Sequence, residues 1–468
     1  MRGSLAGSVA SFRGIPYAAA PEGPLRFQAP APRAGWDGVR DATAFGTPAP
    51  QSATMPGTPA LWQAADGLDC LNLNVWTPDP GGSGLPVLVW VHGGAWKHGA
   101  GSNPAYESSL LASHGAVVVT LNYRLGFEGF GHLPGVPDNR GLRDQIAALE
   151  WVRDNIAGFG GDPGNVTVFG QSAGGGAVAL LVGCVPALFR RAIAQSVPEG
   201  YWPARRAERI TAKVAAAAGI PATAGAFAAL PPEAIVAVQE APLRDRGGIT
   251  AYVPVIDGET VTGAPWQALA GGAARDIDLV CGFTHEEYRL FMPGDPPAGA
   301  EIATVAGAYG LDAAAAAERY RAAYPEFTET ELFSTFMSDA LFRLPSTWTA
   351  EAHAAAGGRT WLYDFTRGGR LGACHAVEVP FVFGNRSGPL AAWALGTVPA
   401  DEFEALSKQI RESWVGFAAT GDPGWPRFEP DSRRTRIWDA VPTDGAYPIE
   451  DSYRIWASTS PSGPPEGA

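Results

Sequence analysis

The pentapeptide Gly170-Gln171-Ser172-Ala173-Gly174 carries the pattern Gly-x-Ser-x-Gly, in which a serine can act as a nucleophile. The glycines of such a pattern let a strand turn abruptly into a helix and hold the serine in a strained position at a sheet edge. Because the chain contains 59 glycines in 468 residues, the pattern alone could arise by chance, and its context has to decide. Residues 166–170 form an apolar run directly before it, and a helical pattern starts directly after it. We therefore predict that Ser172 is a nucleophile at a strand-to-helix turn.

A nucleophilic serine needs hydrogen-bond donors fixed in advance for the negative charge that develops on the attacked group. The sequence His92-Gly93-Gly94-Ala95-Trp96 follows an apolar run at 85–91, and its small residues let backbone N–H groups approach a reacting carbon. A tight turn without any ligand would carry the same pair of glycines. We expect the donors to be the N–H groups of Gly94, Ala95 and Ala173. Three neighbouring residues are further candidates for contacting a substrate: Gly93, Trp96 and Gln171.

Removing the serine proton requires a base, and the chain has seven histidines. In folds with this kind of serine turn the residues occur in the order serine, acid, histidine, which leaves His285, His353 and His375. His353 lies in an Ala-rich helical stretch, where we expect a surface position. His285 directly precedes Glu286 and Glu287 after an apolar run, which is where the acid should lie. We predict that His375, in a segment with little charge, is the base.

The elements that must position these residues alternate between apolar runs and helical patterns. Runs that are apolar on both faces suit parallel strands covered by helices on both sides. Three such runs are present, 85–91, 116–121 and 166–170, and residues 277–282 and 360–365 are interpreted as further strands of the same sheet. Residues 142–156 have the apolar stripe of an amphipathic helix. This alternation predicts an α/β fold with a doubly wound, mostly parallel central sheet.

Two Ala-rich stretches, at about 199–274 and 293–358, look like helical excursions from that sheet. Composition does not shift across them and no linker is visible. We therefore predict one domain, residues 1–468, with helical insertions.

Composition excludes several classes of function. Lys and Arg number 34 against 47 Asp and Glu, and the formal charge of −13 offers no basic face for nucleic acid or an anionic membrane. No apolar stretch is long enough to span a bilayer, and residues 1–20 do not have the pattern of a secretory signal. We therefore expect a cytoplasmic protein. The four cysteines stand far apart without metal-ligand spacing, and we expect neither a metal nor another cofactor.

Several long motifs occur in a characteristic order: Phe12-Arg-Gly-Ile-Pro-Tyr-Ala18, Asp69-Cys-Leu-Asn-Leu-Asn-Val-Trp-Thr-Pro78, His92-Gly-Gly-Ala-Trp96, Asn122-Tyr-Arg-Leu-Gly126 and Phe159-Gly-Gly-Asp-Pro-Gly-Asn-Val-Thr-Val-Phe-Gly-Gln-Ser-Ala-Gly174. With them the sequence resembles the type-B carboxylesterases, the branch of the α/β hydrolases that includes the cholinesterases and bacterial p-nitrobenzyl esterases. The resemblance runs from about residue 12 to Asp422-Pro-Gly-Trp-Pro426, nearly the whole chain.

The resemblance implies a role for each site residue. Ser172 becomes the acyl-accepting nucleophile, with the oxyanion donors as above. The family places its acid in a Gly-x-x-x-[Asp/Glu]-Glu stretch, matched here by residues 282–287, which selects Glu287 over Glu286. Its histidine lies in Gly-Ala-x-His-x-x-Glu-x-Pro-[Phe/Tyr]-x-Phe-Gly, matched by residues 372–384, which selects His375. The implied activity is a serine carboxylesterase that forms an acyl-enzyme from small neutral esters with short to medium acyl chains, p-nitrophenyl-type and aromatic esters included.

Two departures from the family pattern and one expected agreement concern charge. The residue before the nucleophile is usually Glu, and Gln171 removes that negative charge, which weakens any case for a cationic choline substrate. Leu68 replaces a family Glu, so Arg26 loses its usual ion-pair partner and must find another acceptor or be exposed. The resemblance implies that a second structural pair, Arg124 with Asp162, is intact.

Other functions stay open from the sequence. Within enzymes the alternatives are a lipase and a hydrolase of carbamates or aromatic polyester fragments. Outside enzymes the alternative is a binding protein that keeps this fold without a working triad, as adhesion proteins of the family do. The oligomeric state is not readable, although a monomer is compatible with the sequence. Seven aromatic residues near the motifs are candidates for lining a substrate gorge or for the core: Trp96, Phe127, Phe130, Tyr201, Trp202, Tyr288 and Phe291.

Overall fold

The computed structural model describes residues 1–54, 60–243, 249–292, 301–386, 388–396 and 398–457. Most strands of this part of the chain belong to one sheet, and two short ones form a separate pair. The strands are β1 (Ser4–Ala6), β2 (Val9–Pro16), β3 (Asn72–Thr77), β4 (Leu85–Val91), β5 (Val117–Leu121), β6 (Gly161–Gln171), β7 (Arg191–Gln195), β8 (Trp202–Pro203), β9 (Val255–Ile256), β10 (Asp278–Thr284), β11 (Thr360–Phe365), β12 (Thr435–Trp438) and β13 (Thr443–Gly445).

The large sheet has eleven strands within the described ranges, in the order β1-β2-β3-β5-β4-β6-β7-β10-β11-β12-β13. From β5 to β12 every neighbouring pair is parallel, and antiparallel pairs occur only toward the two ends of the sheet as described. The predicted doubly wound, mostly parallel sheet is confirmed.

Helices connect these strands. The α-helices are α1 (Ser109–Ala112), α2 (Gly126–Phe130), α3 (Arg140–Asn155), α4 (Ala173–Cys184), α5 (Ala204–Ala218), α6 (Ala224–Ala228), α7 (Pro232–Val238), α8 (Pro265–Ala270), α9 (Ile302–Val305), α10 (Ala313–Ala323), α11 (Glu329–Ser338), α12 (Leu344–Ala355), α13 (Val379–Phe383), α14 (Pro389–Leu395), α15 (Ala400–Thr420) and α16 (Glu450–Trp456). A π-helical turn, Asp339–Arg343, joins α11 to α12. Short 3-10 turns lie at Gly23–Leu25, Ala64–Asp66, Pro104–Tyr106, Ile156–Phe159, Pro186–Leu188, Ala241–Leu243, Glu287–Leu290 and Ala306–Tyr309.

Both faces of the sheet are covered, as continuous apolar strands require. In β4, Val87 and Val89 face a core layer that includes α3, α4 and α8, while Leu88 and Trp90 face a second layer that includes α13 and α15. The alternation follows from the two-residue period of a strand. The two helical layers hold the sheet in place and so fix the positions of the strand ends, where the site residues lie.

The predicted element boundaries are close to those observed. The strand at 360–365 is found at the same residues, the one at 277–282 becomes β10, and the helix at 142–156 becomes α3. The first helical excursion contains α5 to α8 and also the strand pair β8 and β9, which was not predicted. The second contains α9 to α12. No helix in the described ranges combines the length and the apolar character needed to cross a membrane.

The predicted pair of Arg124 with Asp162 is wrong. Arg124 instead pairs with Asp144 of α3, with 2.6 Å between Nη2 and Oδ1 and 2.8 Å between Nε and Oδ2, and both side chains are buried. Arg124 follows the carboxyl end of β5, whereas Asp162 lies at the amino end of the parallel strand β6, so the two residues occupy opposite edges of the sheet. Asp162 accepts a local hydrogen bond from the N–H of Gly164 at 2.8 Å.

Arg26 has found another acceptor, as predicted. Its guanidinium lies 2.6 Å from Oε1 of Glu128 in α2, and both side chains are only 6% exposed. The same guanidinium donates to the carbonyl oxygens of Ala228 and Leu230. Glu128 of α2 therefore provides the carboxylate that Leu68, in place of the family glutamate, cannot supply.

The predicted surface position of His353 is wrong. The ring is buried, with Nδ1 2.8 Å from Oγ1 of Thr360 and Nε2 3.1 Å from the carbonyl oxygen of Ala274. These contacts tie α12 to the start of β11 and to the segment before β10. An Ala-rich helix has no strong amphipathic pattern, so its sequence does not show which face is covered.

Candidate active site

The predicted site residues all lie at or directly beyond the carboxyl ends of parallel strands, the edge at which open α/β sheets bind ligands. Ser172 follows β6, and the loop 92–96 follows β4 on one side of it. Glu287 follows β10, and His375 lies in the segment after β11. The sheet therefore brings together residues that are up to about 280 positions apart in the chain, from Gly93 to His375.

Ser172 has the backbone conformation of a strained turn, with φ 59° and ψ −125°. Its N–H donates to the carbonyl oxygen of Gln195 at the end of β7, and its own carbonyl accepts from the N–H of Gly176, both at 2.9 Å. A positive φ costs about 1 to 3 kcal/mol at a residue other than glycine and persists only where its surroundings enforce it. Here α4 and β7 enforce it. The side chain stays partly accessible between two buried neighbours.

The glycines around the serine are required by close backbone contacts. A Cβ at Gly174 would lie 2.0 Å from the carbonyl oxygen of Val91, and one at Gly175 would lie 2.2 Å from that of Gln195. The first turn of α4 therefore fits between β4 and β7 only without side chains. The glycine-rich sequence after Ser172 is the local cause of the sharp turn.

Glu287 and His375 are joined side chain to side chain and backbone to backbone. The N–H at Nδ1 of His375 donates to Oε2 of Glu287, and the backbone N–H of His375 donates to the carbonyl oxygen of Glu287 at 3.1 Å. Oε1 of Glu287 accepts from the N–H of Thr284 at 2.9 Å. Both side chains are buried. Because the carboxylate accepts at Nδ1, the neutral imidazole carries its lone pair at Nε2, as a general base requires.

Nε2 of His375 meets the side chain of Gln171 rather than Ser172. The two Nε2 atoms lie 3.2 Å apart, and the amide N–H of Gln171 donates to the ring nitrogen. Within the described residues the hydroxyl of Ser172 has no hydrogen-bond partner. Gln171, a candidate for substrate contact, therefore touches the base itself.

Glu286 and His285, which the residue pattern alone left open, have other partners. Oε2 of Glu286 accepts from the N–H of Ala373 at 2.8 Å, and the Glu286 N–H donates back to the carbonyl of Ala373 at 2.9 Å. Glu286 thus fastens the acid loop to the histidine loop two residues before His375. Nδ1 of His285 lies 2.7 Å from Oδ2 of Asp364 on the neighbouring strand.

The loop after β4 is held in a tight, left-handed conformation. Gly94, Ala95 and Trp96 have φ values of 118°, 53° and 62°. The N–H groups of Gly94, Ala95 and Ala173 have no backbone partner among the residues that the structure describes. A Cβ on Gly93 would lie 2.6 Å from the carbonyl oxygen of Gln171, so this loop packs directly against the serine turn.

His92 anchors this loop through contacts with Tyr123 and Gly93, a role that the sequence analysis missed. Its ring stacks on Tyr123 at 4.5 Å, and the Tyr123 hydroxyl donates to the His92 carbonyl at 2.8 Å. Nδ1 lies 2.8 Å from the carbonyl oxygen of Gly93. Burial lowers the pKa of His92 to about 4, so the ring is neutral under ordinary conditions.

Glu378 is a second residue that the sequence analysis missed, although the His-x-x-Glu part of the motif contains it. Its side chain is buried, and Oε1 accepts from Nε2 of Gln195 at 3.3 Å. Burial, with a smaller effect of the nearby Glu287 charge, raises the pKa of Glu378 to about 8. At neutral pH this carboxyl is therefore mostly protonated.

Aromatic rings cover the base. The centroid of Phe342 in the π-helical turn lies 4.3 Å from that of His375, and the centroid of Phe291 lies 5.3 Å from it. Phe342 gave no signal in the sequence, since it lies inside a helical stretch far from any motif. Of the seven predicted aromatic candidates, five are buried, Trp96, Phe127, Phe130, Tyr201 and Trp202, while Tyr288 and Phe291 are partly exposed. No group of three His, Cys, Asp or Glu side chains in the described ranges could hold a metal ion.

Known proteins are similar to this chain in sequence. A model of the carboxylesterase family matches residues 2–449. The chain is 37% identical to the para-nitrobenzyl esterase of Bacillus subtilis (strain 168), covering 94% of this chain and 93% of that protein. It is 34% identical to the phenmedipham hydrolase of Pseudarthrobacter oxydans, covering 95% and 93%.

Solved structures give the same result. A PNB esterase matches with a TM-score of 0.86 at 35% identity, covering 97% of this chain and 96% of that one. A carboxylesterase of Geobacillus stearothermophilus matches with a TM-score of 0.86 at 34% identity, covering 97% and 98%. The predicted α/β-hydrolase fold and esterase class are thus confirmed, and the chain belongs to the carboxylesterase family, as a serine hydrolase of carboxylic esters.

Proposed function

We propose that Ser172, His375 and Glu287 form the catalytic triad of this esterase. His375 takes the proton of Ser172 through Nε2, and the Ser172 oxygen attacks the ester carbonyl carbon. The tetrahedral intermediate collapses when His375 passes the proton to the leaving alcohol, which leaves an acyl-enzyme. Water then repeats the sequence, with His375 again as base, and releases the acid. Glu287 holds the imidazole in the required tautomer and stabilises the imidazolium.

The N–H groups of Gly94, Ala95 and Ala173 form the oxyanion hole in this proposal. Their support is the left-handed conformation of the loop after β4 and its packing on the serine turn. Backbone donors fixed in this way need no reorganisation when negative charge develops on the substrate oxygen. Each donor of such a hole contributes on the order of 10²–10³ in rate.

The observation that carries the proposal is the hydrogen bond between Nδ1 of His375 and Glu287 at the same sheet edge as the strained turn of Ser172. A histidine oriented by a buried carboxylate beside a serine with positive φ is the arrangement that nucleophilic catalysis requires. His285 also has a carboxylate partner, Asp364, but it is Nε2 of His375 that reaches the serine turn, at Gln171.

For the substrate, we propose small neutral esters with short to medium acyl chains, with Trp96, Gly93 and Gln171 among the contacting residues. A second candidate is a carbamate-type substrate, since a relative over nearly the full chain is named phenmedipham hydrolase. A third is a lipid ester, since the human bile salt-activated lipase is 31% identical over 98% of this chain. Rates measured across the solubility limit of an ester separate the last case, because a lipase gains activity at the interface.

We also propose that residues 1–468 act as one domain, which the pairing of N-terminal and C-terminal strands in one sheet supports. A monomeric state and a cytoplasmic location stay predictions.

The triad is tested with Ser172→Ala and an organophosphonate that labels activated serines. The wild type should lose p-nitrophenyl butyrate hydrolysis on labelling, with the phosphonate found on Ser172 by peptide mass spectrometry. Ser196 also follows a parallel strand and also has a positive φ, so it supplies the matched control. The Ser196→Ala variant should still be labelled at Ser172. Wild-type turnover by Ser172→Ala would overturn the assignment.

A further inference from the structure

The loop after β4 continues past Trp96 into a closed turn. The carbonyl oxygen of Gly94 accepts from the N–H of Lys97 at 3.1 Å and from the N–H of His98 at 2.9 Å. That carbonyl belongs to the same planar peptide group as the N–H of Ala95, which points in the opposite direction. The position of Lys97 therefore sets the direction of the Ala95 N–H, one of the proposed oxyanion donors.

An ion pair fastens this turn to the first helical excursion. Nζ of Lys97 lies 2.7 Å from Oε2 of Glu240, which lies between α7 and the 3-10 turn Ala241–Leu243. The side chain of Lys97 is 14% exposed and that of Glu240 is 36% exposed. The second carboxylate oxygen of Glu240, Oε1, is buried and has no hydrogen-bond partner anywhere in the described part of the chain. Because this carboxylate is partly withdrawn from water, it depends on Lys97 for its compensating charge.

The residue before Glu240 is held through its backbone. The carbonyl oxygen of Gln239 accepts from the hydroxyl of Tyr252 at 2.6 Å, and its N–H donates to the carbonyl oxygen of Ile235 in α7 at 2.9 Å. Gln239 itself is buried. Exposed ion pairs contribute little, in part because two mobile side chains must be ordered to form them. Here the carboxylate starts from a fixed backbone, so Glu240 is a firm attachment point for Lys97.

The first turn of α2 joins the same two segments. The N–H of Gly126 donates to the carbonyl oxygen of Trp96 at 2.8 Å, and the next N–H, of Phe127, donates to Oε1 of Gln239 at 3.1 Å. A Cβ on Gly126 would lie 2.2 Å from that same Oε1, so the three segments meet without a gap. The excursion therefore holds the loop at two successive residues, at Trp96 through α2 and at Lys97 directly.

We propose that Lys97 and Glu240 are positioning residues for the esterase reaction, which hold the N–H of Ala95 in the direction that the oxyanion requires. Neither side chain touches the substrate, and both act through the turn. A misplacement of about 1 Å can cost about a hundredfold in rate even when the change lies far from the chemistry. The inference deepens the proposed function and rests on Gly94, Ala95 and Ala173 as the oxyanion donors.

The test measures kcat and KM for p-nitrophenyl butyrate in Lys97→Met and Glu240→Gln, which each remove one charge with little change in size. In both variants kcat should fall about fivefold or more while KM stays within about twofold, because the donors act mainly on the transition state. Rates are expressed per site labelled to completion by the organophosphonate, so a smaller folded fraction does not affect them. An unchanged kcat, or a loss confined to KM, overturns the inference.

A second measurement uses 1,1,1-trifluoro-2-pentanone, a ketone with the acyl chain of the butyrate ester. The Ser172 oxygen adds to its carbonyl carbon, His375 takes the serine proton, and an oxyanion is left at the donors. The affinity for this ketone should fall by about the same factor as kcat. Lys408→Met and Glu412→Gln are the matched controls, since Nζ of Lys408 also lies 2.7 Å from a carboxylate oxygen of Glu412, on exposed side chains of α15. They should keep wild-type kcat and affinity, and a lower kcat in the Lys97 and Glu240 variants without a loss of ketone affinity contradicts the inference.

The double variant Lys97→Met/Glu240→Gln leaves no unpaired charge, so it carries the test even if a single variant fails to fold. Because the two residues act as one unit, its kcat should match that of the less active single variant within about twofold. Losses that multiply, or a wild-type kcat in the double variant, overturn the inference. Ser172→Ala tests the triad separately. Turnover by that variant would refute the proposed function and the inference with it, whereas an inactive Ser172→Ala with unchanged kcat in the Lys97 and Glu240 variants refutes the inference alone.

Discussion

Nε2 of Gln171 lies 3.2 Å from Nε2 of His375, so the residue before the nucleophile occupies the lone pair that the nucleophile needs. The oxygen of the same amide lies near the loop after β4, because a Cβ on Gly93 would lie 3.2 Å from Oε1 of Gln171. Gln171 is buried and neutral. It therefore orients the base without stabilising the imidazolium, which a carboxylate at this position would do.

Gln171→Glu should move the acid limb of the kcat/KM profile to higher pH. A carboxylate about 3 Å from the imidazole favours its protonated form, and opposite charges at that distance shift a titration by about one pH unit or more. Because only the neutral imidazole accepts the serine proton, activity below neutral pH should fall in this variant. The measurement is kcat/KM for p-nitrophenyl butyrate between pH 5 and pH 9.

Gln171→Met is the matched control, since it keeps the length of the side chain and adds no charge. Its acid limb should move much less than that of Gln171→Glu, because it removes one hydrogen bond to the neutral ring and adds no charge. A Gln171→Glu profile that overlays the wild type would mean that this side chain does not face His375 in the working enzyme.

Gly174→Ala should damage both stability and activity. The added Cβ would lie 2.0 Å from the carbonyl oxygen of Val91, and neither backbone can move without shifting Ser172. We expect a loss of about 2 kcal/mol or more in the free energy of unfolding, together with a lower kcat. Gly225→Ala on α6 is the control, because a Cβ there meets no atom within 4 Å. That variant should be as stable as the wild type or up to about 1 kcal/mol more stable.

Asp144→Asn should be much more destabilising than Asp162→Asn. The first substitution leaves the buried guanidinium of Arg124 without its charged partner, and breaking a buried pair in this way costs about 3 to 5 kcal/mol. Asp162 makes one local hydrogen bond, to the N–H of Gly164, which asparagine can replace, so we expect a change below about 1 kcal/mol. Urea unfolding of the two variants decides the point, and equal losses would contradict the observed pairing.

The sequence predicted the parts of this molecule that depend on local pattern. Strands such as β4 are apolar on both faces, and the turn at Ser172 needs glycines that are visible in the chain. The order of residues along the chain then reduced the candidate bases to three histidines, and the family motifs selected Glu287 and His375.

What the sequence did not predict depends on packing between distant segments. Asp144 and Asp162 both follow Arg124 in the chain. Only the sheet topology shows which of the two aspartates lies at the same end of the sheet as Arg124. Glu128 could not be identified as the partner of Arg26 because the two residues are 102 positions apart in different elements. Phe342 carries no motif, and its place beside His375 follows from the π-helical turn.

Glu378→Gln should make the protein progressively more stable, relative to the wild type, as pH rises. In the folded protein the pKa of Glu378 is raised to about 8, well above its ordinary value, so the folded state holds a proton that the unfolded chain releases at lower pH. The contribution of this proton to stability is complete below the unfolded pKa and is lost as pH rises toward the folded pKa near 8. Between pH 5.5 and pH 7.5 the wild type should therefore lose about 2 kcal/mol that the glutamine variant keeps, because the amide cannot ionise. Equilibrium unfolding of both proteins at several pH values measures the difference, and parallel stability curves would show that Glu378 ionises like an exposed carboxyl. Its neutral form leaves Glu287 as the negative charge that His375 contacts.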